Sequence, residues 1–233
     1  MKNLLKISTF TISILAMAHV NAQSAAANWD GFYGQVGLLG YGVYMPKASS
    51  GTTIYNGSPI PTTFSADRIN GPVGNVSLGY SHQINDTYLL GIGASIYPGS
   101  SKTATTNAAT FLGTTHGIYH LSNIFSIYLT PGYAIDQDKL VYGKFGYTGA
   151  SIHSSASGNL AGNFSEKSTN ISGLVYGLGY KQIVWKSVYA FGEINYAVDK
   201  PKQVSITTND NLTLNSTAKA SGYDLIIGVG YRF

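Results

Sequence analysis

Apolar and polar positions alternate with a period of two over much of the chain. Near the C-terminus Tyr223, Leu225, Ile227, Val229, Tyr231 and Phe233 share one face, and Gly222, Asp224, Ile226, Gly228, Gly230 and Arg232 share the other. Successive side chains on a strand point to opposite sides, so this pattern predicts strands with one apolar face. Leu174, Tyr176, Leu178 and Tyr180 repeat it against Gly173, Val175, Gly177 and Gly179. So do Phe125, Ile127, Leu129 and Tyr133 against Ser126, Tyr128, Thr130 and Gly132. Four segments end alike: Ser77-Leu78-Gly79-Tyr80, Thr130-Pro131-Gly132-Tyr133, Gly177-Leu178-Gly179-Tyr180 and Gly228-Val229-Gly230-Tyr231. Their tyrosines lie 53, 47 and 51 residues apart. The first three precede short turns near Asn85-Asp86, Asp136-Gln137-Asp138 and Trp185-Lys186-Ser187, each followed by a new apolar run. The repeat therefore reads as strand, short turn, strand, long loop.

Eight strands are predicted: Gly31–Val43, Val73–Gln83, Tyr88–Tyr97, Tyr119–Ile135, Leu140–Ile152, Ile171–Ile183, Val188–Val198 and Ala218–Phe233. Short connections alternate with long ones rich in Ser, Thr, Asn and Gly. Charged residues make up only 10% of the chain, against about 25% in a soluble domain. No stretch after the leader holds the ~18 consecutive apolar residues of a spanning helix. In lipid every backbone group needs a partner, so a spanning sheet must close on itself. The predicted fold is all-β: an eight-stranded antiparallel up-and-down transmembrane barrel with short periplasmic turns and longer external loops. An even strand count puts both termini on the periplasmic side. Inward glycines suit the narrow interior.

Lys2 and Lys6 precede a mostly apolar run from Ile7 to Val20, and Val20-Asn21-Ala22 fits a small-x-small cleavage site. Residues 1–22 read as a cleaved Sec signal peptide and 23–233 as the barrel domain, with Ala25, Ala26 and Ala27 as other cleavage points. Export by this route to the bacterial outer membrane is the expected localisation. Without Lys2 and Lys6 the net charge falls from +4 to +2. No basic stripe points to nucleic acid. The absence of cysteine excludes disulfides, thiol nucleophiles and Cys-ligated metals.

Tyr80, Tyr133, Tyr180 and Tyr231 close the descending strands, and Tyr33, Tyr88, Tyr142 and Tyr189 open the ascending ones. All eight are expected in a periplasmic-side aromatic girdle. A soluble β-sandwich would also alternate, but it predicts charges on the faces that here carry mostly Gly and Ser.

Trp29-Asp30-Gly31-Phe32-Tyr33 resembles the mature N-terminus of the small outer-membrane β-barrel family, which includes opacity-type proteins and the transmembrane domain of OmpA-like proteins. Tyr231-Arg232-Phe233, with Tyr223, Leu225, Ile227 and Val229 upstream, resembles that family's C-terminal β-signal. The resemblance implies outer-membrane lipid and, during biogenesis, the barrel assembly machinery as partners, with the last Phe as anchor. No further domain is expected beyond the barrel.

Lys144, Glu193, Asp224 and Arg232 are the charges predicted to face the lumen, with Lys144 and Glu193 able to meet across it. Unpaired charge is costly in a low-dielectric interior, so pairing is expected in a plug or a selectivity element alike. His120-Leu121-Ser122-Asn123 resembles the His-x-Ser-Asn segment of the outer-membrane lipid A deacylases, in which His is base to a Ser nucleophile. The acid expected about a dozen residues downstream has no counterpart; Asp136 and Asp138 lie in a turn at the other side of the membrane. His153-Ser154-Ser155 offers a similar pair, also without a nearby acid. His116 and His120 are about 13 Å apart on a strand, too far for one metal ion. Gly173 to Gly179 is no phosphate loop, because no helix follows. The reading is therefore an integral outer-membrane protein with a structural or surface-interaction role, no catalysis, no cofactor and no metal. The alternatives are a narrow porin-like channel for small solutes and a lipid A-modifying enzyme.

The external loops carry little charge and name no partner. Loop 1, about 44–72, holds Pro46, Pro59, Pro61 and Pro72. In loop 4, about 199–217, Ile206-Thr207-Thr208 and Leu212-Thr213-Leu214 allow a hairpin beyond the membrane.

Overall fold

A computed structural model of the chain describes residues 24–111, 113–157, 164–209 and 211–233. The predicted signal peptide and its cleavage after Ala22 lie outside these residues.

Eight long strands form a closed antiparallel ring: β1 (Gly31–Pro46), β5 (Asn75–Gln83), β6 (Tyr88–Ser100), β8 (Gly113–Ala134), β9 (Lys139–Ser157), β10 (Phe164–Trp185), β11 (Val188–Asp199) and β14 (Ala220–Arg232). Each pairs with the next, and β14 returns to β1. Closure leaves no free edge in the lipid. The outward stripe stays apolar: Tyr223, Leu225, Ile227, Val229, Tyr231 and Phe233 are all exposed, and so are Phe125, Ile127, Leu129, Phe145 and Tyr147. Short turns close one end. There Phe233 N–H donates to the Phe32 carbonyl and Ala26 N–H to that of Asp86.

Several strands run further than the sequence pattern predicted, because their upper parts leave the lipid and lose the strict apolar–polar alternation. The long loops are also strands: β2 (Ser49–Tyr55), β3 (Ser58–Ala66), β4 (Ile69–Pro72), β7 (Ala104–Thr110), β12 (Lys202–Thr207) and β13 (Thr213–Ala218). Beyond the membrane they continue the wall in the order β12-β13-β2-β3-β7-β8. β8 then pairs with β9, and β9 with β10. Loop 1 is thus a hairpin plus a strand. Its turn is Asn56-Gly57, both at positive φ (48° and 77°), the pair that a two-residue I′ turn requires.

Candidate functional sites of the lumen and outer wall

The periplasmic mouth is filled by the segment just before β1. Trp29 is buried after one 3-10 turn (Ala27–Trp29) and meets Tyr189 edge-on at 5.8 Å. It packs in one cluster with Tyr33, Leu89, Leu140, Phe191 and Ile226. Above it lies a polar network. Lys144 Nζ donates to Glu193 Oε1 at 2.8 Å, Tyr142 to Glu193 Oε2 at 2.7 Å, and Asn195 to both Glu193 Oε1 (2.8 Å) and Asp224 Oδ1 (2.9 Å). Tyr97 donates to the other oxygen of Asp224 at 3.1 Å. The Lys144 and Glu193 side chains are 1% and 2% exposed. Lys181 is a second buried cation, 3.8 Å from the centre of the Tyr33 ring and 5.0 Å from those of Tyr142 and Tyr189. Rings can hold a cation through their negative faces. Higher up, Ile69, Tyr119, Leu121 and Ile171 pack into a second apolar cluster.

Beyond this neck the extramembrane wall encloses a cup of about 200 Å³. Its lining is mostly apolar, with Phe64 and Ala66 from β3, Ala108 from β7, Ile152 and Ala156 from β9, and Leu214 from β13, and it includes Lys47 and Lys219. Thr115 also lines it. Its hydroxyl is buried without a hydrogen-bond partner among the described residues.

On the outer wall β8 and β9 bring together residues far apart in sequence. Ser122 Oγ lies 2.9 Å from His153 Nε2, and His153 Nδ1 lies 3.0 Å from Glu166 Oε1. His120 stacks on His153 with ring centres 4.9 Å apart and planes 6° apart. His116 instead bonds Asn107 at 2.6 Å.

The family model for the outer membrane protein beta-barrel domain matches residues 11–233. The chain belongs to this outer-membrane β-barrel family. That places it in the bacterial outer membrane and agrees with the closed ring. Among solved structures, the chain is similar to the outer membrane protein OprG from Pseudomonas aeruginosa: 16% identity, 88% of this chain and 96% of that one, TM-score 0.53. It is also similar to the outer membrane protease OmpT from Escherichia coli (10% identity, 88% and 97% covered, TM-score 0.49) and to Ail, the attachment invasion locus protein of Yersinia pestis (14%, 84% and 99%, 0.38). At 16% identity the likeness to OprG speaks for fold alone. No curated protein matches the sequence.

Within this family barrel, the predicted site residues divide by strand parity. Lys144 and Glu193 meet in the lumen, and Asp224 joins through Asn195. Arg232 does not enter that network: its guanidinium lies 5.5 Å from the Trp29 ring at the periplasmic mouth and donates to the Lys186 carbonyl. The reason is position, since Arg232 is the last strand residue and the lumen charges lie well above it. The girdle also needs correction. Tyr88, Tyr133, Tyr180 and Tyr231 are exposed on the lipid side and Tyr80 is half-buried, but Tyr33, Tyr142 and Tyr189 are buried in the lumen. They sit at the expected level on the opposite face.

Their room comes from the repeated Gly-Tyr endings. Tyr33 faces Gly79, Tyr142 faces Gly179 and Tyr189 faces Gly230 across adjacent strands. A Cβ at Gly179 or Gly230 would come within 2.2 Å of the facing ring. In the second repeat Gly132 faces Leu89 instead.

Lys181 and Glu166 escaped the sequence reading, as did Asn195, Tyr97 and Thr115. Lys181 shares the parity of Gly177 and Gly179, so counting two further along that face finds it. Glu166 lay in a presumed loop, since β10 was predicted to start only at Ile171.

Proposed function

We propose that the protein is a non-conducting surface receptor, whose extramembrane cup binds a small, mostly apolar molecule carrying a hydrogen-bonding group. The observation that carries this reading is the apolar-lined cup, which stands above packed layers of the barrel and is separate from a lower cavity of about 270 Å³ beside Tyr97, Ser126, Asn195 and Asp224. Three layers support a closed floor: the Trp29 cluster, the Lys144–Glu193 network and the Ile69–Leu121 neck. A small eight-stranded barrel is ordinarily filled by its own side chains. Ligand pockets are commonly apolar with a few placed polar groups, and the unpartnered Thr115 hydroxyl is such a group.

Two measurements test the reading. In planar bilayers, with insertion confirmed by the mobility shift of unboiled protein, no conductance steps are expected; reproducible steps would support the channel instead. A series of medium-chain alcohols should raise the unfolding midpoint of the wild type, since a ligand that binds only the folded state stabilises it. Ala108→Trp, which fills the cup, should abolish the rise. Equal responses in both proteins would place the binding elsewhere.

A further inference from the structure

A nucleophile, a base and an acid converge on the outward surface of the barrel, where neither the family nor the cup reading assigns a site. We propose that Ser122, His153 and Glu166 are a hydrolytic triad that cleaves acyl esters of outer-leaflet lipids. The proposal is independent of the cup, which opens on the other face of the same strands.

The geometry meets the requirements of such a group in order. The nucleophile must lie within hydrogen-bond reach of a base, and a third group must orient that base. Ser122 to His153 is 2.9 Å and His153 to Glu166 is 3.0 Å, on opposite ring nitrogens. A carboxylate can only accept, so Glu166 holds the histidine proton on Nδ1 and leaves Nε2 free to accept from Ser122. The parallel His120 ring fixes the plane of His153. Ser122 also stands at a break in the β8 ladder. The register slips between Ser122 and Phe125, and Asn123 sits at φ 51°. Bulges of this kind re-aim side chains and recur beside active sites, and a non-glycine residue at positive φ is uncommon. The acid that the sequence lacked near His120 is present, paired with a different histidine.

Position selects the substrate. Below Ser122 the outward face of β8 continues with Phe125, Ile127 and Leu129, and β9 presents Tyr147 and Phe145, all exposed. Aromatic residues of this kind mark the headgroup level of a barrel. The triad therefore lies directly above the aromatic and apolar residues of this face, within reach of the acyl esters of lipids packed against them.

The chemistry balances with water alone. Ser122 Oγ bonds to the acyl carbon as its proton passes to His153 Nε2. The ester C–O bond breaks and the leaving alkoxide takes that proton. Water then attacks the acyl-serine, giving a proton to Nε2, and the carboxylic acid leaves as Ser122 regains its hydrogen.

The test uses the folded barrel in detergent, an organophosphonate serine-hydrolase probe, and peptide mass spectrometry to locate the adduct. The expected result is an adduct on Ser122, absent in Ser122→Ala and formed about 10²–10⁴-fold more slowly in His153→Ala. Glu166→Gln should slow labelling without altering unboiled gel mobility, and Glu166→Asp should restore part of the rate, as a positioning residue requires. Wild type should also release free fatty acid from phospholipid vesicles or from lipopolysaccharide, and whichever yields it names the source of the ester. The proposal is overturned by an unlabelled Ser122, by equal labelling in His153→Ala, or by labelling without fatty acid release from either lipid. His120, His153 and Glu166 also place ligand atoms within 4.8 Å of one another. Stoichiometric zinc uptake lost in His120→Ala, with Ser122 unlabelled, would make the cluster a metal site and equally overturn the triad.

Discussion

Removing the Glu193 carboxylate should be among the most damaging single changes in the lumen. Glu193 accepts from Lys144, Tyr142 and Asn195, and its side chain is 2% exposed. In Glu193→Ala the Lys144 ammonium, 1% exposed, loses its hydrogen-bonded carboxylate and keeps the Tyr128 ring, 4.2 Å from its nitrogen, and the more distant Asp224 carboxylate. Breaking a buried pair by deleting one partner costs about 3–5 kcal/mol, because a charge is left uncompensated. The reverse deletion, Lys144→Ala, should cost less. Glu193 would still accept from Tyr142 and Asn195, and hydrogen bonds to a charged group contribute about 1.5–3 kcal/mol each. Replacing both residues by apolar ones, in Lys144→Met with Glu193→Leu, should recover much of the loss. Urea unfolding of the barrel in lipid vesicles, followed by tryptophan fluorescence, gives each midpoint at constant slope. The reasoning fails if Glu193→Ala shifts stability by less than about 1 kcal/mol, or if the double variant is no better than the worse single one.

The Gly–Tyr pairs give a second set of expectations in the same assay. Gly179→Ala and Gly230→Ala force a Cβ against the facing Tyr142 and Tyr189 rings and should each cost about 1–3 kcal/mol. Gly192→Ala, whose Cβ would meet nothing within 4 Å, should stay within about 0.5 kcal/mol of wild type, and a cost equal to that of Gly179→Ala would refute the steric account. Trp29→Ala empties the centre of the mouth cluster and should cost about 3–5 kcal/mol. An unchanged midpoint would show that the segment before β1 is not docked in the barrel.

The membrane-spanning part of the fold was legible because lipid imposes the period-two pattern so strictly. The C-terminal strand, from Tyr223 to Phe233, lies as its alternation requires, and the short turns fall where the Gly-Tyr endings stop. Legibility ended where lipid ends. Asn56-Gly57 is a strong hairpin signal, yet in sequence loop 1 reads only as a long connection carrying four prolines. The same boundary hid Glu166, which lies on a strand extension whose exposed residues follow no hydrophobic pattern. The girdle tyrosines erred for a different reason. Level along a strand and facing across it are separate variables, and the repeat fixed only the first. Facing followed from register: each inward tyrosine lies opposite the glycine of a neighbouring repeat.

One register thus separates two activities on the same strands. In upper β8, Thr115, Gly117, Tyr119 and Leu121 face the interior while Ser122 and His120 lie on the outer wall. β9 divides likewise, with Ile152, Ser154 and Ala156 lining cavity and His153 outside. A sheet one residue thick transmits little between faces when substitutions leave backbone register intact, and sites without shared partners are usually additive. Ala108→Trp should therefore silence alcohol binding in the cup and leave the rate of Ser122 labelling unchanged. Ser122→Ala should do the converse. Loss of both functions in either variant, with unboiled mobility preserved, would mean that cup and triad form one site joined through the wall, and the two proposals would have to be replaced by one in which the cup holds part of the ester substrate.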